Sequence, residues 1–573
     1  MSSLWFPYAQ MQTMPPPLKV VDAKGTKLRL ESGQELIDSI SSWWCAIHGY
    51  NHPEINSALA EQMQKFSHVM LGGLTHAPAE KLAKELVRIT PQGLNHVFFA
   101  DSGSVGMEVA MKMAVQFFKN NGIDGKTKFA SLYKGYHGDT TGVMSIGDPE
   151  EGMHHLFKGF LPKQFFIHPS LQEMENLFKE HGNKIAAFAC EPLLQGAGGL
   201  NFYPAEFLSG AKKLCTQYDI LFIADEVATG FGRTGTMFAC EQANITPDIM
   251  VLGKGLTAGY LGLSATLATD NVYNSFLSES YENAFMHGPT FMGNALACSA
   301  ALASLRIFER ENYLEKISRI NKILKEELLG FEAAGVKETR VLGACGVIET
   351  LNESCHKGIQ QFAAERGVWL RPFLNVVYAM PPYIISEEEL RKICEVIKLF
   401  FSSVPAIKKI KAKSEIKRLV GLIQEIWPEV FIPIIGKEQV DYMLAHYQGE
   451  AVIASEIENG VRYFFIEDSN VPIGYFAYSL EEDCLAISKV YLKKSFRGLG
   501  LSSKIFSHFE KIAQKNNKGK LSLRVNRFNR QAVEVYLHRG FKIVKTVDQP
   551  FGDKFFLNDY QMEKITEKAS LSL

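Results

Sequence analysis

Two short apolar runs constrain this chain more than any other feature. ILFIADEVATGFGRTG closes its apolar stretch on Asp225, and PDIMVLG is followed at once by Lys254. Both runs are short, rich in β-branched residues and bounded by Gly or Pro, the pattern of buried parallel strands. Parallel strands deliver their C-terminal residues to one edge of a sheet, where ligands bind in α/β folds. An acid and an amine would therefore meet over one pocket. Each residue also has an ordinary role open to it: the Asp as cap of the next helix, the Lys as a solvated charge at a turn.

Length sets the next bound. A chain of 573 residues exceeds a single hydrophobic core, so two or more domains are expected. With 46% hydrophobic and 21% charged residues it has the composition of a soluble globular protein. Its nine cysteines are scattered without a CxxC pair, which argues against a disulfide framework or a zinc site and for a reducing compartment. MSSLWFPYAQMQTMPPP lacks a basic region followed by an apolar core, and no uninterrupted apolar stretch would span a bilayer. The expectation is a cytoplasmic protein with no membrane partner and no metal. Charge is asymmetric: residues 404–573 carry 26 Lys and Arg against 20 Asp and Glu, whereas 1–403 carry 35 against 42. The sign changes at KKIKAKSEIKR, just after Pro405, where a linker over 404–418 is expected to run into a helix. The basic C-terminal part suits an anionic small molecule; it has no recognised nucleic-acid motif.

An acid and an amine at one sheet edge suit pyridoxal 5'-phosphate (PLP). Lys254 would bond to its aldehyde and Asp225 would keep its pyridine nitrogen protonated. Upstream, FFADSGSVGMEVAMKMAVQFF passes from a strand through Ser102-Gly103-Ser104 into a helical pattern. Small residues at a helix N-terminus offer free N–H groups to a phosphate, although a plain strand-to-helix turn looks the same. In LYKGYHGDTTG, Tyr136 could stack on an aromatic ring or simply pack.

MHGPTFMGN (286–294), SSWWCAIHGYNHP (41–53), Asp225 and Lys254 together resemble the class III aminotransferases. LWFPY, HGPTFMGNALAC and GVWLRPFLNVVYAMPPY narrow the resemblance to the branch that aminates 8-amino-7-oxononanoate (KAPA) in biotin synthesis. It extends over about residues 4–403. It implies a fold-type-I α/β subunit within 1–403: a large PLP domain over about 46–290 with a mainly parallel sheet, and a small α+β domain from 1–45 and 291–403. Lys254 would be the cofactor lysine and proton shuttle, and Asp225 the pyridinium partner. Gly103 and Ser104 would hold the phosphate, and Tyr136 would lie against cofactor and substrate. Pro289 and Thr290 would serve the phosphate site of a neighbouring subunit, implying a homodimer. Tyr8, Trp43 and Gly288 would shape the acceptor pocket, and Arg371 would bind the acceptor carboxylate through paired hydrogen bonds. Asp139 and Arg233 match positions near the site without an assigned role. The expected reaction turns KAPA into 7,8-diaminononanoate by ping-pong kinetics, with S-adenosylmethionine as donor; Trp43, Trp44 and Tyr8 could stack on an adenosyl group or be ordinary pocket walls.

The last third differs. VRYFFIEDSNVPIGYFAYSL predicts two strands and a turn, CLAISKVYL a third strand, and KKSFRGLGLSSKIFSHFEKIAQK a glycine turn opening an amphipathic helix. Successive N–H groups over Arg497-Gly498-Leu499-Gly500-Leu501-Ser502 suit a pyrophosphate. Followed by LSLRVNRFNRQAVEVYLHRGFKIV, the order resembles the GNAT N-acetyltransferases over about 420–565, implying an α+β domain at 419–573 that uses acetyl-CoA. The resemblance implies that Val490 and Leu492 pair with the pantetheine arm. Arg497, Gly498, Gly500 and Ser502 would cradle the pyrophosphate, with Ser502 where Gly or Ala is commoner. Asn529 and Tyr536 would lie near the thioester, Tyr536 as acid for the departing thiolate. Glu481, Glu482 and Asp483 are the acidic residues before the central strand, as readily a solvated turn as a base. Two alternatives stand beside this bifunctional enzyme: a C-terminal domain that senses acyl-CoA without transfer, and another class III ω-aminotransferase substrate.

Overall fold

The computed structural model describes residues 3–333, 335–402, 406–468, 471–497, 501–552 and 555–566. The chain divides into two compact units, one of Met1–Glu332, Val336–Glu353 and Ile359–Leu399, the other of Ala333–Gly335, Ser354–Gly358 and Phe400–Leu573.

The first unit is a fold-type-I α/β arrangement around a seven-stranded sheet. In chain order the strands are β1 (Leu94–Ala100), β2 (Lys128–Leu132), β3 (Phe165–Ile167), β4 (Ile185–Cys190), β5 (Leu221–Asp225), β6 (Ile249–Leu252) and β7 (Ser264–Thr269). Across the sheet they run β1-β7-β6-β5-β4-β2-β3. All share one direction except β7, antiparallel to both β6 and β1. Every residue of β4, β5 and β6 is buried, which explains their continuous apolar sequence: a parallel strand covered on both faces has no solvent side to alternate toward. Helix α1 (Gly103–Asn120) packs Met107, Val109, Ala114 and Phe118 into the core that also holds Ile223 and Val251. Its approach depends on Gly106, where a Cβ would stand 2.8 Å from a Val251 methyl and 2.9 Å from the Ser264 hydroxyl. β5 and β6 are in register with Asp225 opposite Val251, so Asp225 and Lys254 emerge at the same sheet edge. A smaller sheet unites Val20–Lys24, Lys27–Leu30 and Glu35–Asp38 with the distant Val368–Trp369, and a three-stranded sheet joins Val336–Leu342, Cys345–Thr350 and Val376–Ala379.

The second unit has its own seven-stranded sheet: β8 (Ala406–Lys409), β9 (Arg462–Asp468), β10 (Val471–Leu480), β11 (Cys484–Leu492), β12 (Lys520–Asn526), β13 (Lys542–Phe551) and β14 (Phe555–Ile565), ordered β8-β9-β10-β11-β12-β14-β13. Only β11 and β12 are parallel, and they pair just from Cys484–Ile487 against Lys520–Leu523; beyond that the two strands part. Helix α2 (Lys413–Ile435) covers one face, with Leu419, Ile423 and Trp427 against Tyr463, Phe465 and Tyr475. Helices α3 (Leu501–Lys515) and α4 (Arg530–His538) cover the other, with Phe506, Phe509 and Val533 against Phe476, Leu485 and Ile487. β10 alternates accordingly, Tyr475 and Ala477 toward α2 and Phe476 and Tyr478 toward α3. The stretch 404–418 expected as a linker lies outside the described residues at 404–405, then supplies edge strand β8 and the first turns of α2. Among the described residues no helix is long and apolar enough to cross a membrane.

Candidate active site

Asp225 and Lys254 end up in one buried cluster whose other members were not apparent in sequence. Asp225 accepts a 2.7 Å hydrogen bond from Nδ1 of His137, and both side chains are almost wholly enclosed. Burial opposes charge on His137, but the hydrogen bond and charge of Asp225, with Glu191 nearby, outweigh it and raise the imidazole above its ordinary value. His137 thus holds the Asp225 carboxylate in place. The other Asp225 oxygen accepts from the backbone N–H of Val227. Glu191, at the end of β4, receives the N–H groups of Tyr136 at 3.0 Å and Gly196 at 2.7 Å, and burial pushes its carboxyl up to about 7. Lys254 sits in the left-handed region, φ 41, directly after β6, with its Nζ 4.7 Å above the Trp44 ring. Burial lowers its amine below the usual lysine value, against the charges of Asp225 and Glu191.

A second carboxylate organises the mouth of the cleft. Asp139 accepts from the hydroxyls of Tyr8 (2.7 Å) and Tyr136 (3.0 Å) and from Nε2 of His154 (3.0 Å), while its own N–H donates to Ser104 at 3.2 Å. These donors, His154 foremost, keep Asp139 below the usual carboxylate range despite partial burial. Tyr8 meets Trp43 edge to face at 5.8 Å, so residues from three chain segments form one aromatic wall. Trp43 and Trp44 owe their positions to an unusual backbone. Ser41, Ser42, Trp43 and Trp44 have φ of 50, 46, 57 and 75°, four successive left-handed residues without a glycine. Asp38 straps this turn: Oδ1 accepts from Ile40 N–H at 2.9 Å, and Oδ2 from Ser42 N–H at 2.9 Å and the Tyr50 hydroxyl at 2.6 Å. Ser41 anchors the other side on the Met380 carbonyl at 2.6 Å.

At the start of α1, the Ser102 hydroxyl accepts from Val105 N–H and leaves Gly103 and Ser104 as the first helical residues. Gly138 (φ +128°) closes on this turn so tightly that a Cβ would fall 2.2 Å from the Ser104 hydroxyl oxygen. Arg371 makes no hydrogen bond or ion pair among the described residues, yet its charge is felt at Tyr378, whose hydroxyl accepts from Trp44 Nε1 at 3.4 Å. Arg233 is structural: its guanidinium donates to the carbonyls of Ala344, Pro381 and Trp44 and lies 4.7 Å over Tyr383. Gly288, Pro289 and Thr290 occupy a largely open segment held by His68, which reaches the Thr290 carbonyl at 2.7 Å; no hydrogen bond joins it to Ser104 or Lys254 among the described residues.

These residues fit PLP on structural grounds. A buried amine of lowered basicity, a buried carboxylate backed by a cation, a helix N-terminus approached by glycine backbone and a tyrosine beside them match its aldehyde, ring nitrogen, phosphate and ring face. Asp225 and Lys254 were legible from strand ends. His137, Glu191, Asp38 and Tyr378 were missed, and only the neighbouring HGD of 137–139 hinted at the first.

In the second unit Val490 lies on β11 just past its last pair with β12, and Leu492 is buried in the α3-side core. The Arg497 guanidinium is committed to Glu429 of α2 through bonds of 3.0 and 2.7 Å and to the Leu492 carbonyl at 2.8 Å, so only its backbone is available to a pyrophosphate. Gly498 and Gly500 lie outside the described residues. The Ser502 hydroxyl accepts from Arg539 at 3.2 Å, and the Asn529 side chain caps α4 by accepting from Ala532 N–H at 3.2 Å. Tyr536 packs on Phe506, and burial pushes its hydroxyl up to about 12. Glu481, Glu482 and Asp483 form the exposed turn before β11, where Asp483 pairs with Lys520 at 3.1 Å, at the end where β11 and β12 remain joined.

Known proteins resemble both parts. The sequence profile of class-III aminotransferases matches residues 8–401, and that of the acetyltransferase (GNAT) family matches 422–541. The chain is 43% identical over 407 residues to the adenosylmethionine-8-amino-7-oxononanoate aminotransferase of Buchnera aphidicola subsp. Schizaphis graminum, covering 69% of this chain and 94% of that one. The crystal structure of the similarly named protein from Methanocaldococcus jannaschii is 38% identical with a TM-score of 0.67, covering 69% of this chain and 96% of its own. An amine transaminase from an uncultivated Pseudomonas species, solved in its PLP-bound form, is 28% identical with a TM-score of 0.67, covering 70% of this chain and 99% of its own.

Proposed function

Because the chain belongs to the class III aminotransferase family, we propose that its first unit transfers an amino group to KAPA, giving 7,8-diaminononanoate for biotin synthesis, with S-adenosylmethionine as donor. The observation that carries this is the His137–Asp225 pair set beside the weakly basic Lys254 under an SSWW wall. The relatives' names supply the substrates.

PLP, when bound, supplies an electron-withdrawing ring to the carbon losing its proton. Asp225 would hold the proton on the ring nitrogen, and His137 fixes that carboxylate. Lys254, once its amine is free, would take the α-proton of the donor and return it on the other side of the transfer; desolvation lowers its amine and suits it to that role. Gly103 and Ser104 would bind the phosphate through the α1 N-terminus, and Tyr136 would lie against the ring. Tyr8, Trp43 and Gly288 bound the pocket, and Arg371 takes the acceptor carboxylate. Pro289 and Thr290 serve a second copy's phosphate site. Exposed Met63, Met70, Leu74, Met286 and Phe291 favour such a homodimer, since apolar side chains concentrated in two adjoining segments mark an association surface.

The second unit transfers an acetyl group from acetyl-CoA, with Val490 and Leu492 along the pantetheine, the 497–502 turn on the pyrophosphate, Asn529 nearby and Tyr536 protonating the thiolate. The parting of β11 and β12 supports this, because it leaves backbone groups of both strands for a thioester arm. Incubation of the purified chain with KAPA and S-adenosylmethionine should yield 7,8-diaminononanoate by mass spectrometry. Transamination with ornithine or 4-aminobutyrate as amino donor, in the absence of KAPA turnover, would overturn the substrate assignment. Calorimetric titration with acetyl-CoA tests the second unit, and absence of binding refutes transfer there.

A further inference from the structure

The α2-side face of the second sheet carries a carboxylate with no hydrogen-bond partner among the described residues. On β14, Tyr560 and Met562 belong to the α3-side core, so by strand alternation Asp559 and Gln561 point to the α2 side. The register agrees, since Gln561 bonds Ser522, whose neighbours Leu521 and Leu523 face α3. Asp559 is opposite Asn526, at the end of β12 that has parted from β11. Tyr491, across that gap, also faces α2, packing on Tyr475 at 5.3 Å and Phe431 at 5.9 Å. The charges felt at the Tyr491 hydroxyl are those of Tyr536 and Asp559, which places all three around the gap. On the far side the hairpin end brings Phe551 and Phe555 within 5.9 and 5.4 Å of Tyr442, from a helix packed on the same core as α2.

We propose that this floor and its aromatic walls bind the acetyl acceptor, that the acceptor is a small cationic primary amine, and that Asp559 is the base that deprotonates it. The assignment rests on acetyl transfer by the second unit. An ammonium is the ligand that a carboxylate beside an aromatic face such as Tyr491 selects, through charge pairing and cation–π attraction together. No described donor hydrogen-bonds Asp559; burial raises its carboxyl and the charge of Arg524 opposes this, and among the described residues Tyr491 and Tyr536 are the titratable groups coupled across the gap. A carboxylate so raised is a better base than an exposed one. Asp559 takes one proton from the ammonium, the freed nitrogen attacks the thioester carbonyl, an N–C bond forms and the C–S bond breaks. Tyr536 protonates the leaving sulfur and is reprotonated by the second nitrogen proton.

The test uses the full chain with acetyl-CoA and spermidine, 1,5-diaminopentane or tyramine, with benzyl alcohol as the neutral control, reading thiol release and acetylated amine. At least one amine, and not the alcohol, should accelerate thiol release. Asp559→Asn should lower kcat/KM for that amine about a hundredfold or more and remove the acidic limb of its pH profile, with acetyl-CoA affinity within twofold of wild type. Tyr491→Leu should raise the KM for the amine and leave acetyl-CoA affinity alone. If acetyl-CoA binds but no amine reacts, or if Asp559→Asn keeps the wild-type pH profile, the proposal is wrong. If acetyl-CoA does not bind, the transferase assignment beneath it fails first, and calorimetry tells the two failures apart.

Discussion

Replacing Asp38 by Asn should damage the amino-transfer site without touching any group that meets substrate. Each left-handed residue other than glycine costs roughly 1–2 kcal/mol, so the Ser41–Trp44 turn holds on the order of 4–8 kcal/mol of backbone strain. That strain persists only because surrounding bonds determine the turn, and Asp38 supplies three of them. Asparagine keeps one acceptor for Ile40 N–H but turns an NH2 toward Ser42 N–H and the Tyr50 hydroxyl. Tyr50 can turn its hydroxyl to Ser42 Oγ, 2.6 Å away; the Ser42 N–H loses its acceptor. Losing that hydrogen bond to the strap costs about 1–3 kcal/mol, which at 1.4 kcal/mol per factor of ten is roughly a 5- to 150-fold loss in kcat/KM. Most of it should appear in KM, because Trp43 and Trp44 wall the pocket while Lys254, Asp225 and His137 are untouched. Tyr50→Phe removes a hydroxyl and no acceptor of Ser42 N–H, so its loss should be nearer fivefold, and the double variant should fall short of the sum. Steady-state kinetics with varied amino donor, read beside tryptophan fluorescence, decides the matter. Wild-type kcat/KM and an unshifted spectrum in Asp38→Asn would refute the reasoning, because the turn would then be held by something else.

Gly138→Ala should cut PLP retention at least tenfold, measured as cofactor released on gel filtration, because its Cβ would displace Ser104 and the φ of +128° disfavours any side chain. Lys254 in the cofactor-free protein should react with an amine-acylating reagent with a midpoint below the ordinary lysine value of 10.5. Its folded pKa is depressed, so the stability its neutral form contributes is full above 10.5 and is lost as pH falls through the folded value. Lys254→Met, which should be inactive, should therefore lose less stability than the wild-type apoprotein between pH 10 and 7 in thermal melts.

The elements of both units were legible because their signals are local. β5 and β6 are continuous apolar runs ended by polar residues, and α1 begins at a Ser-Gly-Ser turn whose first serine does cap it. The site was legible only where a residue's role follows from its position along a strand or helix. His137 became its central partner through a contact spanning 88 positions, and Tyr8 reaches Asp139 over 131; no periodicity encodes such meetings. Nor does sequence announce the SSWW turn, since serine and tryptophan have no preference for left-handed backbone and the strap comes from Asp38 and Tyr50 on either side.

The same limit explains Asp559. Acidic residues in the turn before β11 drew notice because three stand together, yet the structure puts them at the joined end of β11 and β12, where no gap exists. Asp559 sits in a strand of mixed character, and its meaning depends on three facts of the fold: which face β14 turns to α2, where β12 separates from β11, and that Tyr491 lies across the gap. A base must reach the same gap as the acid it serves, so topology rather than acidity selects it. That criterion passes over Glu481, Glu482 and Asp483 and selects Asp559.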